Sequence, residues 1–182
     1  METQFKEVEV VNNSWKSNFT VRFLALALTL VAAVVLGVNK ETTTVSVTIV
    51  QSLPPVDLPV TAKWTDMSAF VYLVIANTIA CSYGAASVIL LLVTRGRNKL
   101  VSLTVTILDL VMVVLIFSGI GGTASVGVIA YSGNSHVQWD KVCNMMDKFC
   151  HQVAIALFFS FAGGITYLLL IVLAALKLYK KF

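Results

Sequence analysis

Apolar positions in this sequence do not alternate with polar ones; they come in four long blocks separated by polar segments. The longest block, residues 100–131, reads LVSLTVTILDLVMVVLIFSGIGGTASVGVIAY and holds a single ionisable side chain, Asp109. A hydrocarbon core about 30 Å thick takes about 20 helical residues. This block can therefore span a bilayer and continue past one interface. Inside lipid an apolar run must satisfy its own backbone, which selects a helix. Blocks at 19–38, 67–93 and 152–176 meet the same length criterion. The pattern predicts an all-α membrane protein, a bundle of four transmembrane helices.

The polar segments complete the plan. Residues 1–18 contain Glu2, Lys6, Glu7, Glu9 and Lys16, and are expected to form a disordered tail. The apolar run that follows starts too late and is too long for a cleaved signal peptide. Residues 39–66 carry the β-branched run TTTVSVTIV (42–50), then Pro54, Pro55 and Pro59, then VTAKW (60–64). Two such runs flanking a proline turn predict a short β-hairpin in this loop. Residues 94–99 form a tight basic turn, 132–151 a second long polar loop, and 177–182 a lysine-rich tail.

Composition agrees with this reading. The 182 residues are 58% hydrophobic and 12% charged, with a mean hydropathy of +0.87; soluble domains carry about 25% charge. The length suits one domain. The net charge of +4 is spread beside apolar runs and forms no basic patch, so nucleic acid is not an expected partner.

Orientation follows from lysine and arginine placement. Nine of these residues lie in the N-terminal segment (including Arg22), the short loop and the C-terminal tail, and four lie in the two long loops. Both termini and the short loop are therefore expected in the cytoplasm, and the long loops outside. The sequons Asn12-Asn13-Ser14 and Asn18-Phe19-Thr20 then fall on the cytoplasmic side, while neither long loop contains one.

Candidate chemistry is sparse. Arg22 opens the first block and Asp109 sits in the third. An ionisable residue within a span costs a few kcal/mol and needs a partner in the bundle. Helical rise puts Asp109 roughly 13 Å beyond Leu100, deeper than Arg22. Three readings follow: a direct charge pair; separate satisfaction, with Arg22 reaching the headgroups and Asp109 bonded to Thr29 or Thr78; or a proton or ion relay. Asn77 is expected to hydrogen-bond between helices. Trp64, Tyr72, Tyr83, Tyr131, Trp139 and Tyr179 mostly fall near block ends, as interfacial anchors do.

Small residues four apart mark helix-packing faces. Ser118 with Gly122, and Gly119 with Thr123 and Gly127, do so in the third block, and Ala76, Ala80 and Gly84 in the second. Cys143 and Cys150 share the second long loop, where an oxidising environment favours a disulfide. Closing so short a loop stabilises it by roughly 2–3 kcal/mol. Free thiols or a zinc site with His136 and His151 are the alternatives, although these spacings fit no familiar zinc pattern. Cys81 reads as a packing residue. No hydrolase, kinase or nucleotide-binding motif is present, so neither catalysis nor a cofactor or metal is expected.

Several of these residues together resemble a plant family, the Casparian strip membrane domain proteins and their CASP-like relatives, themselves related to four-helix MARVEL proteins. The matching positions are Arg22, Ala69-Phe70-Val71-Tyr72, Ala76-Asn77, Tyr83 and Asp109, with Trp139, Cys143, Phe149 and Cys150 in the family's W…C…FC order. The resemblance runs from about Phe19 to Tyr179. It implies a multi-pass plasma-membrane scaffold that forms homo-oligomers, and hetero-oligomers with related members. Strip-forming members exclude other membrane proteins and gather cell-wall enzymes such as peroxidases. They carry E-x-L-P-F-F-T-Q-F in the first outer loop; the equivalent region here, QSLPPVDLPVTAKW (51–64), lacks it. The resemblance thus points to a CASP-like member rather than a strip former.

The topology has a direct check. On expression in a glycosylating cell, Asn12 and Asn18 should remain unmodified, while a sequon inserted in residues 132–151 should add one glycan-sized mass shift. The opposite pattern would invert the orientation.

Overall fold

A computed structural model describes residues 2–47, 56–94, 99–133 and 142–179. Helix α1 (Glu2–Gly37) is followed by strands β1 (Lys40–Val47) and β2 (Val56–Lys63), a 3-10 turn, α2 (Ser68–Thr94), α3 (Lys99–Ser132) and α4 (Asp147–Tyr179). Among the described residues four stretches are long and apolar enough to cross a membrane: Asn18–Gly37, Ser68–Val93, Leu100–Ser132 and Asp147–Leu176. This is an all-α bundle with one small sheet.

The N-terminal segment differs from expectation. Instead of a disordered tail, α1 is continuous from Glu2. The reason lies in the sequence: no glycine or proline interrupts residues 2–36. Extending a helix already nucleated by the apolar half needs only one more hydrogen bond per residue fixed.

Each helix packs on two neighbours, α1 on α2 and α4, and α3 on α2 and α4. Small residues line much of the interior. Phe23, Leu24, Leu30, Ile75, Ile79, Ile107, Val114 and Phe158 face outward, whereas Ala25, Ala32, Ala76, Ala80 and Ala156 are buried. That is the expected solution when lipid is as apolar as leucine and close approach drives helix association. Glycines make the α4 contacts possible. A Cβ on Gly163 would lie 2.9 Å from Thr29 Cγ2, and one on Gly164 would lie 2.9 Å from Phe117 Cε2.

The expected hairpin is present. β1 and β2 pair antiparallel, Lys40 opposite Lys63 and Thr44 opposite Pro59, with a Thr42–Thr61 side-chain bond of 3.0 Å across one face. Pro59 is tolerated because a two-stranded ribbon consists only of edges. The hairpin base is tied to α4. Asn39 Nδ2 donates to the Phe149 carbonyl (3.1 Å), and the Phe149 amide donates to Glu41 Oε2 (2.7 Å). Phe149 lies in the first turn of α4, where amides lack helical acceptors; a carboxylate there also meets the positive end of the helix dipole. Cys143, in a 3-10 turn, is bonded to Cys150 in that same first turn. Together these contacts start α4 at Asp147, five residues before the predicted Gln152, and place Cys150 and His151 in the helix rather than the loop. Under them Leu36, Phe70, Leu73, Met146, Phe149 and Val153 form one of two core clusters, with the Phe70 and Phe149 rings 5.8 Å apart.

The glycine contacts generate a paired prediction. Gly163→Ala must push a methyl against Thr29, whose β-branched side chain is stiff, and should lower stability by about 1–3 kcal/mol. Gly127, with nothing within 4 Å of a built Cβ, should accept alanine with a gain of about 0.5–1 kcal/mol. Thermal unfolding of both variants in detergent, followed by circular dichroism, checks the contrast.

A candidate functional site built on a buried ion pair

Arg22 and Asp109 meet inside the bundle. Arg22 is 6% exposed and Asp109 1%. Nη2 donates to Asp109 Oδ2 at 2.7 Å and Nη1 to Oδ1 at 3.1 Å, a two-pronged pairing that suits the planar guanidinium. Nη1 also donates to Ser87 Oγ (3.0 Å), and the Ser87 hydroxyl donates on to the Gly84 carbonyl (2.8 Å). The Tyr83 hydroxyl stands 2.8 Å from Asp109 Oδ1 and 2.9 Å from the Val105 carbonyl, its one proton shared between two acceptors. The carboxylate therefore faces donors on α1 and α2 from its own position on α3. Arg22 Nε has no partner among the described residues.

The depth mismatch expected between Arg22 and Asp109 disappears in three dimensions. All four helices continue past the level of the pair. Ser87 lies about 10 Å before the end of α2, and Asp109 about 15 Å after the start of α3, by helical rise. Arg22 sits well inside α1, which starts at Glu2. The hydroxyls weighed as partners for Asp109 serve their own helices instead: Thr29 donates to Ala25 and Leu26 carbonyls, and Thr78 to that of Val74.

Some of the buried polar contacts join helices that do not pack side by side. Arg22–Asp109 links α1 to α3 across the bundle. Asn77 Nδ2 donates to Ser160 Oγ (2.9 Å) and Tyr167 hydroxyl to the Ala80 carbonyl (2.7 Å), linking α2 to α4. Gly84 is the spacer: a Cβ there would lie 3.0 Å from the Tyr167 hydroxyl and 3.4 Å from Leu26 Cβ. A buried polar side chain on each helix thus finds its partner through the centre.

The chain as a whole has relatives among known proteins. Residues 12–166 match the Casparian strip membrane protein domain. The chain belongs to that family. CASP-like protein 1E2 of Vitis vinifera is 51% identical over 183 residues, covering 100% of this chain and 94% of that protein. CASP-like protein 1E1 of Vitis vinifera is 52% identical over 91% of this chain and 82% of its own length, and CASP-like protein 1E2 of Arabidopsis thaliana 46% over 87% and 84%. No solved structure matches the chain. As a Casparian strip membrane family member it is a multi-pass membrane protein, and the family is not a known enzyme family.

The other residues singled out from the sequence distribute as follows. Ala80 is fully buried against Tyr167 and Met112. Gly119 meets Leu73 and Tyr72; Gly122 faces Ala69; Ser118 is exposed, its hydroxyl donating to Tyr72. At Gly127, read as a packing residue, a Cβ would meet nothing within 4 Å among the described residues outside its own helix. Tyr83, grouped with interfacial anchors, points into the ion pair, because its hydroxyl has an acceptor there. The Cys143–Cys150 bond removes both sulfurs from the free-thiol and zinc readings. Phe149 is buried; Trp139 and His136 lie outside the described residues. Sequence reasoning missed Ser87, Tyr167 and Ser160, small or aromatic residues in apolar runs whose roles depend on which helix they face.

Removing one member of a buried pair leaves the other uncompensated, at a cost of about 3–5 kcal/mol. Asp109→Ala and Arg22→Ala should each lower the unfolding temperature and the folded yield sharply. The double variant Arg22→Met/Asp109→Leu should recover most of the loss. Normal folding of both single variants would show that the pair does not hold the bundle.

Proposed function

We propose that this protein is a plasma-membrane scaffold that associates laterally with copies of itself and with related family members, its termini in the cytoplasm and its hairpin and disulfide-closed loop outside. The observation that carries the reading is the open small-residue face of α3. A Cβ on Gly121 would meet nothing within 4 Å among the described residues outside its own helix, and Ser125, one turn on, is exposed with its hydroxyl turned back to the Gly121 carbonyl. A glycine–serine strip turned toward lipid fills no space within the chain, and its geometry suits close approach of another helix. The lysine and arginine distribution supports the orientation. Cell-wall enzymes are the partners that the outer loops would gather, following the strip-forming members.

A transport role for Asp109 draws less support. Both carboxylate oxygens are engaged, by Arg22 and Tyr83, and a neutralised, hydrogen-bonded carboxylate is poorly placed to exchange protons along a path.

Native mass spectrometry of the purified protein in mild detergent, with and without reductant, tests the scaffold. A discrete homo-oligomer that survives reductant is expected, and Gly121→Leu should shift it toward monomer. A monomer under both conditions would sink self-association as an intrinsic property. Loss of the oligomer only with reductant would assign it to the cysteines rather than to helix packing.

A further inference from the structure

The register of the hairpin sets Lys40 directly opposite Lys63. Residues so placed share a face with Cβ atoms about 5 Å apart, and like charges there repel. Both lysines are exposed, and neither forms an ion pair among the described residues. The carboxylates nearest in sequence are engaged elsewhere. Glu41 Oε2 accepts from the Phe149 amide (2.7 Å), and Asp66 Oδ2 accepts from the Lys63 amide (2.9 Å). Asp57 pairs with Ser46 farther up the ribbon, about 20 Å along the strand from Lys63. A repulsive pair is thus left without a counter-charge at the base of the hairpin.

The backbone around the pair is pinned on both strands. Asn39 and Glu41, the neighbours of Lys40, both bond to Phe149, and the Trp64 amide donates to the Asn39 carbonyl (3.4 Å). The next rung on the same face is Thr42–Thr61, whose hydroxyls are 3.0 Å apart. One hydroxyl proton is used between them, which leaves the other free to donate. Two ammonium groups and a hydroxyl donor on a fixed ribbon suit an anion with several oxygens, as a phosphate has.

Depth selects the source of that phosphate. The apolar span Asn18–Gly37 is extended by Val38, 67% exposed, and Lys40 comes two residues later. Lys63 is followed by Trp64, a residue type that settles at membrane interfaces. The headgroup layer adds about 5–7 Å on each side of the hydrocarbon core, so the rung stands at headgroup level. A headgroup amine already neutralises its own phosphate; two lysines favour a headgroup that has none.

From this geometry we propose that the Lys40–Lys63 rung binds the phosphodiester of an anionic phospholipid in the leaflet on the hairpin side. Each ammonium donates to a phosphate oxygen, and the free Thr42 or Thr61 proton donates to the headgroup. The site requires neither self-association nor a particular orientation, because both leaflets present headgroups.

Native mass spectrometry of the full-length protein in mild detergent, titrated with phosphatidylglycerol or phosphatidylcholine, tests the site. At least one binding step should favour phosphatidylglycerol. Lys40→Gln and Lys63→Gln should each weaken that step about fivefold, and the double Lys→Arg variant should keep it. Lys63→Glu should abolish it and also raise the unfolding temperature in lipid-free detergent, because opposite charges then face each other across the rung. A phosphatidylglycerol titration unchanged in Lys63→Glu would overturn the proposal, as would phosphatidylcholine binding equally tightly at every step. Displacement of the lipid by inorganic phosphate, or by oligogalacturonate as a soluble polycarboxylate, at concentrations below that of the lipid would overturn it too and assign the rung to a soluble anion.

Discussion

A guanidinium and a carboxylate inside a lipid-embedded bundle have few ways to be tolerated, and the arrangement around Arg22 and Asp109 reflects that constraint. Each charge alone would cost several kcal/mol. Paired through two parallel hydrogen bonds, with Ser87 and Tyr83 filling further valences, they tie α1 to α3 across the bundle centre. The demand is directional as well as energetic. It fixes the rotation of α1, α2 and α3 about their axes, which uniformly apolar helices would otherwise leave weakly specified.

The rest of the packing is organised by volume. Gly84 lets Tyr167 reach the α2 backbone, and Gly163 and Gly164 let α4 close on Thr29 and Phe117. In water a polar outer face would orient such helices; in lipid, with apolar residues on every side, close approach and central hydrogen bonds take over that task. The hairpin end uses a different device. There the Glu41 carboxylate, the Asn39 amide and the Cys143–Cys150 bond converge on the first turn of α4. The two ends are thus held by unlike chemistry: an ion pair in the apolar interior, and capping with a covalent bond at the loops.

Helix α3 links the fold to its membrane context. Its inward side supplies Asp109, Met112 and Ile116 to the core, while Ser118, Gly121, Gly122 and Ser125 remain exposed. The exposed side is itself divided: Gly122 borders Ala69 of α2, while at Gly121 nothing among the described residues packs against the helix. Family membership places the chain among Casparian strip membrane proteins.

The sequence by itself determined the class, the four spans, the hairpin and the family. Each of these depends on runs of like residues, or on a few marked ones such as Trp139, Cys143, Phe149 and Cys150, and such features are readable without knowing what touches what. It also nominated Arg22 and Asp109, because a charge in an apolar run is conspicuous. Only the tertiary structure decided that these two meet, since span boundaries counted from hydropathy put them at different depths while the actual helices overrun those boundaries. The same is true of Tyr83, Ser87, Tyr167 and Ser160, and of the division of the glycines into packed and open ones. A glycine in an apolar helix carries no mark of its direction. Direction follows from helix rotation, and rotation is set by partners far away in the chain.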